Sequence, residues 1–88
     1  MNKYIVELLG TLFLVYVILV TKNAVAIGAA LAIAIIAGSK ISGGHFNPAV
    51  TIAMAFAGKK PLNDVMPYIL SQVVGAMCAL ELYRKTKN

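Results

Sequence analysis

The stretch Ser42-Gly43-Gly44-His45-Phe46-Asn47-Pro48-Ala49-Val50-Thr51 decides how this chain folds, because it starts a helix in the middle of an apolar sequence. Ser42 to His45, with its two glycines, reads as irregular backbone. Asn47 is a good N-cap, and Pro48 suits the first helical position, where its missing N–H has no partner to lose. The predicted helix runs over 48–57. Gly58 can close it in the left-handed conformation, while Lys59 and Lys60 complement the negative end of its dipole and mark a water interface. A helix of this length rises about 15 Å, half the hydrocarbon thickness of a bilayer. Asn47 is therefore expected near the midplane.

Working outward, the flanks are longer and more apolar. Ile5 to Thr21 carries only Glu7, Thr11 and Tyr16 as polar interruptions and spans roughly 25 Å, enough to cross hydrocarbon. Thr21-Lys22-Asn23 is too brief for anything but a tight turn between antiparallel neighbours. A second helix follows from Ala24 to about Lys40, with Ala26, Ala30, Ala34 and Gly38 on one smooth face that lets another backbone approach closely. The last apolar run, Val65 to Tyr83, repeats the device with Ser71, Gly75 and Ala79, and Asn63 or Asp64 is its candidate N-cap. The fold class expected is an all-α membrane protein. It is one unit over residues 1–88, with helices at 5–21, 24–40 and 64–84 and a re-entrant loop and half-helix over 41–58.

Composition agrees with a bilayer environment. Of 88 residues 60% are hydrophobic and 12% charged, the net charge is +5, and the mean hydropathy is +0.84. That is too apolar for a domain presenting a charged surface to water. The charges sit at the ends of the apolar runs, where they anchor at headgroups, and no basic stripe with interleaved aromatics points to nucleic acid. Cys78 is the only cysteine and reads as a small packing residue in an apolar stretch. No metal-ligand cluster, cofactor motif or nucleophile paired with a base is found, so the sequence does not read as an enzyme.

Non-helical backbone at membrane depth survives only where it is buried in protein or lines a water-filled cavity. The carbonyls of Gly43, Gly44 and His45 are thus candidates to face a passage and replace part of a solute's hydration shell. The positive end of the half-helix would point at its centre and disfavour cations, and Asn47 would add two N–H donors. A structural role for His45 in the loop stands beside a pore-lining one. Glu7 reads either as a snorkelling residue near a helix end or, if buried, as a functional group with Thr11 one turn on and Gln72 within reach.

The segment from Ser42 to Thr51 resembles the signature of the major intrinsic protein family, the aquaporins and glycerol facilitators. Glu7-x-x-x-Thr11 and Tyr68-Ile69-Leu70-Ser71-Gln72-Val73-Val74-Gly75-Ala76 extend the resemblance over nearly the whole chain. Members carry two such halves, inverted relative to each other, and this sequence resembles the first. The resemblance implies that Asn47, Pro48 and Ala49 meet a counterpart at the pore centre. It also implies that Gly43 to His45 supply the carbonyl ladder and that Glu7 and Gln72 brace the loop. In the family's second half an arginine follows Asn-Pro-Ala and shares a narrow filter with aromatic residues. Val50 stands at that place here, and Ile27 resembles the aromatic position, so a less polar filter is expected.

One half leaves its loop facing lipid, so a partner is required. Lysines and arginines number four on each side: Lys3, Lys40, Lys59 and Lys60 against Lys22, Arg84, Lys85 and Lys87. That balance lets the chain insert both ways and pair with an inverted copy of itself, with clustering of such pores as tetramers a further level of assembly. The expected function is a passive channel for water or small neutral solutes such as glycerol. The alternatives are one half of a split channel or an inactive fragment, a small proton-coupled secondary transporter that would use Glu7, and a structural membrane subunit.

Overall fold

The computed structural model of the chain describes residues 1–87. It consists of α1 (Lys3–Thr21), α2 (Ala24–Ser42), the short α3 (Pro48–Phe56), a 3-10 turn at Leu62–Asp64, and α4 (Val65–Thr86). α1, α2 and α4, the last together with the 3-10 turn, are long and apolar enough to cross a membrane, and α3 runs only part of the way. The longest dimension is 44 Å, close to the thickness of a bilayer with its headgroups. The chain is an integral membrane protein.

Local signals explain where the helices start. Asn2 accepts from the Ile5 amide and opens α1 at Lys3, two residues before the apolar run begins, while Asn23 accepts from the Ala26 amide and opens α2. α2 continues past Lys40 to Ser42 and stops at Gly43, whose φ of 90° is left-handed. Lys40 is exposed and does not mark the end expected of it. α3 ends at Phe56, one residue earlier than its sequence suggests. Gly58, at φ 75°, closes it in a Schellman arrangement, with the Gly58 amide donating to the Ala55 carbonyl and the Lys59 amide to that of Met54. α4 extends to Thr86, where the Thr86 hydroxyl donates to the Leu82 carbonyl and lies 2.9 Å from the Tyr16 hydroxyl.

Two expectations at α4 are corrected. Asp64 occupies the N-cap position but makes no capping bond. Its carboxylate instead accepts from Lys3 Nζ at 2.7 Å and from the Tyr4 hydroxyl at 3.0 Å, tying the start of α1 to the start of α4. Cys78 is exposed rather than packed.

α1 is the spine. It packs against α2 on one side and α4 on the other, and α3 rests on α4. The small-residue faces make this possible: Ala30, Ala34 and Gly38 of α2 and Gly75 and Ala79 of α4 are buried. The approach at Gly75 is so close that a Cβ there would collide with the Leu8 carbonyl oxygen. Replacing Gly75 with alanine must therefore push α1 and α4 apart, at about 2 kcal/mol. A Cβ added at Gly28 would meet nothing within 4 Å, so Gly28→Ala should be neutral or gain up to about 1 kcal/mol from helix propensity. Thermal unfolding of both variants in detergent checks the pair.

Candidate functional site

The loop between α2 and α3 has no backbone ladder of its own, so its polar groups need partners elsewhere. Glu7, on α1 and 0% exposed, supplies them. Its Oε2 accepts from Ser42 Oγ at 2.7 Å and from the His45 amide at 3.1 Å. Its Oε1 accepts from the Phe46 amide at 2.8 Å and from Gln72 Nε2 at 2.9 Å. One carboxylate thus joins α1, the end of α2, the loop and α4, using all its acceptor sites. Glu7 is not a snorkelling end residue.

A second tier hangs from Gln72. Its Nε2 also donates to Thr51 Oγ1 at 2.9 Å, and that hydroxyl lies 2.9 Å from His45 Nδ1. Thr51 can accept from Gln72 and donate to the ring, which leaves the proton of a neutral imidazole on Nε2. A third tier closes the water-side end. The Tyr68 hydroxyl donates to the Ser42 carbonyl at 2.7 Å, and Lys60 Nζ lies 3.8 Å above the Tyr68 ring centre while bonding its hydroxyl. Lys60 is thus folded inward, 3.7 Å from Asp64, and is not a free headgroup anchor. Burial pulls its ammonium below the usual lysine pKa, against the opposing pull of Asp64.

Phe46 locks the loop from the other side. It is 3% exposed and has a left-handed φ of 54°, which costs a non-glycine residue about 1–2 kcal/mol. Its ring occupies the space that side chains at Gly10 and Gly38 would need: a Cβ on Gly10 would fall within the ring's own contact surface, and one on Gly38 would lie 3.3 Å from it. Sequence reasoning gives this pairing no signal, because a glycine inside an apolar helix looks the same whether or not a ring fills the space beside it. Ser42, Thr51 and Tyr68 likewise had no bracing role assigned to them.

Other polar groups of the site have no partner among the described residues. Asn47 Oδ1 caps α3 through the Ala49 amide at 2.8 Å, so its Nδ2 donors remain available. Among the described residues, no hydrogen bond ends on the carbonyls of Gly43, Gly44 or His45. Asn47 and Ala49 are exposed, Pro48 is half-buried, and Val50 is 40% exposed. Ile27 is half-buried on α2. α2 and α3 have no substantial contact, so the chain alone does not build Ile27 and Val50 into one constriction. Among the described residues two buried atoms also lack a partner, Thr11 Oγ1 and Gln72 Oε1.

Three helices long and apolar enough to span a membrane, a shorter helix capped by Asn47 and an irregular loop pinned by a buried carboxylate define an all-α integral membrane protein. The family model of the major intrinsic proteins matches residues 1–88, and the chain belongs to that family. It is 41% identical to glycerol uptake facilitator protein-like 6 of Lactiplantibacillus plantarum, over 90% of this chain and 41% of that protein. It is 37% identical to aquaporin NIP1-1 of Arabidopsis thaliana, over 96% of this chain and 33% of that one. With aquaporin Z of Rhodopseudomonas palustris the identity is 33%, over 92% and 40%. The chain therefore spans less than half the length of these relatives.

Glu7→Gln tests the pinning. An amide turns one acceptor into a donor facing other donors, which should lower stability by about 3 kcal/mol. Hydrogen exchange at the His45 and Phe46 amides should accelerate more than at the ends of α2 and α4, as read by mass spectrometry on detergent-solubilised protein.

Proposed function

We propose that the chain forms a passive channel for water and small neutral solutes such as glycerol, by association with an inverted half of the same architecture. The observation that carries this reading is the loop, whose amides are taken by Glu7 while the carbonyls of Gly43, Gly44 and His45 are left without a partner. A row of acceptors without side chains at two positions suits a solute that must shed water and regain hydrogen bonds step by step. Asn47 Nδ2 and the positive end of α3 complete the passage at the midplane, donating to a passing oxygen and disfavouring cations. The names of the relatives, glycerol facilitator and aquaporins, support the solute class.

A proton-coupled carrier is disfavoured by the same carboxylate. Glu7 has four donors and no open acceptor site, so taking up a proton in each cycle would dismantle the loop. The inverted partner is read as a second copy of this chain. Asp64 pairs with Lys3 on one membrane side and Glu81 with Arg84 on the other, so the two sides remain balanced when acidic residues are included. The second reading is a channel completed by a different half, and it is favoured by Val50, which stands where an arginine would be expected in that other half.

Liposomes holding only this chain should swell in a glycerol gradient, and reporters fused after Asn88 should appear on both membrane sides. Copies that all face one way, in liposomes that stay impermeable, would replace the second copy by a different half. In a self-paired channel Val50→Arg acts twice, once towards each mouth, and should slow glycerol about tenfold, the effect of a barrier about 1.4 kcal/mol higher, with water slowed less. Stopped-flow light scattering of wild type and variant measures both fluxes.

A further inference from the structure

The four donors that hold Glu7 are all neutral: the Ser42 hydroxyl, the His45 and Phe46 amides and the Gln72 side chain. Such bonds fix a carboxylate in place but leave its unit charge uncancelled. That charge acts directly on the candidate passage. The His45 amide and the Gly44 carbonyl belong to one planar peptide group, as do the Phe46 amide and the His45 carbonyl. The carboxylate oxygens, 3.1 and 2.8 Å from those two nitrogens, therefore lie roughly 5 Å from the unpartnered carbonyl oxygens of Gly44 and His45, with the peptide between them. Carbonyls polarised from behind by an anion are cation ligands. The positive end of α3 offsets only about half an elementary charge, so a passage for neutral solutes needs a further positive charge beside the loop.

The water-side end of the site supplies it. Asp64 stands between two ammoniums, Lys3 at 2.7 Å and Lys60 at 3.7 Å, so this cluster carries one positive charge in excess. Lys60 is the one turned inward: its side chain is 12% exposed against 38% for Lys3, and its Nζ lies 3.5 Å from the Ser42 carbonyl oxygen. The same Ser42 donates its hydroxyl to Glu7, so one residue separates the ammonium from the carboxylate. Burial lowers the pKa of the Lys60 ammonium, and Asp64 and Glu7 both act against that; the charge of Glu7 is thus felt at Nζ. We propose that Lys60 is the counter-charge of Glu7 and that, by cancelling the anion behind the carbonyl row, it makes the passage select neutral solutes over cations. This role rests on the channel reading above and deepens it. Lys60 acts through the field at the row and not by touching the solute.

Lys60→Met removes the charge and leaves the Tyr68 bond to the Ser42 carbonyl and the Lys3 bond to Asp64 in place. In liposomes its potassium permeability relative to glycerol should rise about tenfold, the effect of a unit charge acting over about 10 Å of partly screened protein. In planar bilayers under a potassium chloride gradient, the leak should reverse close to the potassium equilibrium potential. Lys60→Arg should keep the wild-type ratio. Raising the pH through the Lys60 titration should bring the same cation-selective leak to wild type and not to Lys60→Arg, since the groups that face Nζ, Asp64, Tyr68, Lys3 and Glu7, are common to both. This comparison does not depend on how well Lys60→Met folds. A leak that passes chloride as readily as potassium marks a loosened loop, and a potassium-to-glycerol ratio equal to wild type in Lys60→Met marks a bond with no effect on selectivity. Either result overturns the counter-charge and leaves the channel standing. Liposomes that pass glycerol for neither wild type nor any variant overturn the channel reading and the counter-charge together.

Discussion

A segment without secondary structure is held in place by a single buried carboxylate. Glu7 receives two backbone amides of the loop, one hydroxyl from the end of α2 and one amide from α4. Unpaired, each of those amides would cost several kcal/mol in a lipid environment. A carboxylate at the same depth without partners would be more costly still. Each solves the other's problem: Glu7 takes the donors of the loop, and the carbonyls of Gly43, Gly44 and His45 are left without a partner among the described residues.

Much of this was legible in the sequence where the signal is local. Asn47, Pro48 and Gly58 act within one turn of themselves, and the half-helix they bound is displaced from its reading by a single residue. The spanning helices were visible as apolar runs, with ends that moved by two residues where a polar side chain, Lys40 or Arg84, was read as a boundary although a helix can carry it into the interface. From the residues alone Glu7 remained open between two roles; its link to the loop came from resemblance to a family. What stayed invisible is long-range. The Tyr68 to Ser42 bond joins residues 26 apart, and the Lys3 to Asp64 bond residues 61 apart. Asp64 shows the competition directly: its place predicts a cap, but the ammonium of Lys3 is the stronger partner.

The division of labour among the helices has the same logic. α2 and α4 each turn a small-residue face, Ala30, Ala34 and Gly38 on one and Gly75 and Ala79 on the other, and both pack on α1. Val25, Ile36, Phe56 and Met66 are among the most exposed apolar side chains and are suited to hydrocarbon.

The Phe46 ring, wedged where Gly10 and Gly38 have no side chains, makes the loop answerable to the spacing of α1 and α2. It acts as a toggle bolt: pulling the loop back towards water means prising two helices apart. The position of the loop is therefore tied to the packing of α1 against α2 as well as to the bonds it makes with Glu7.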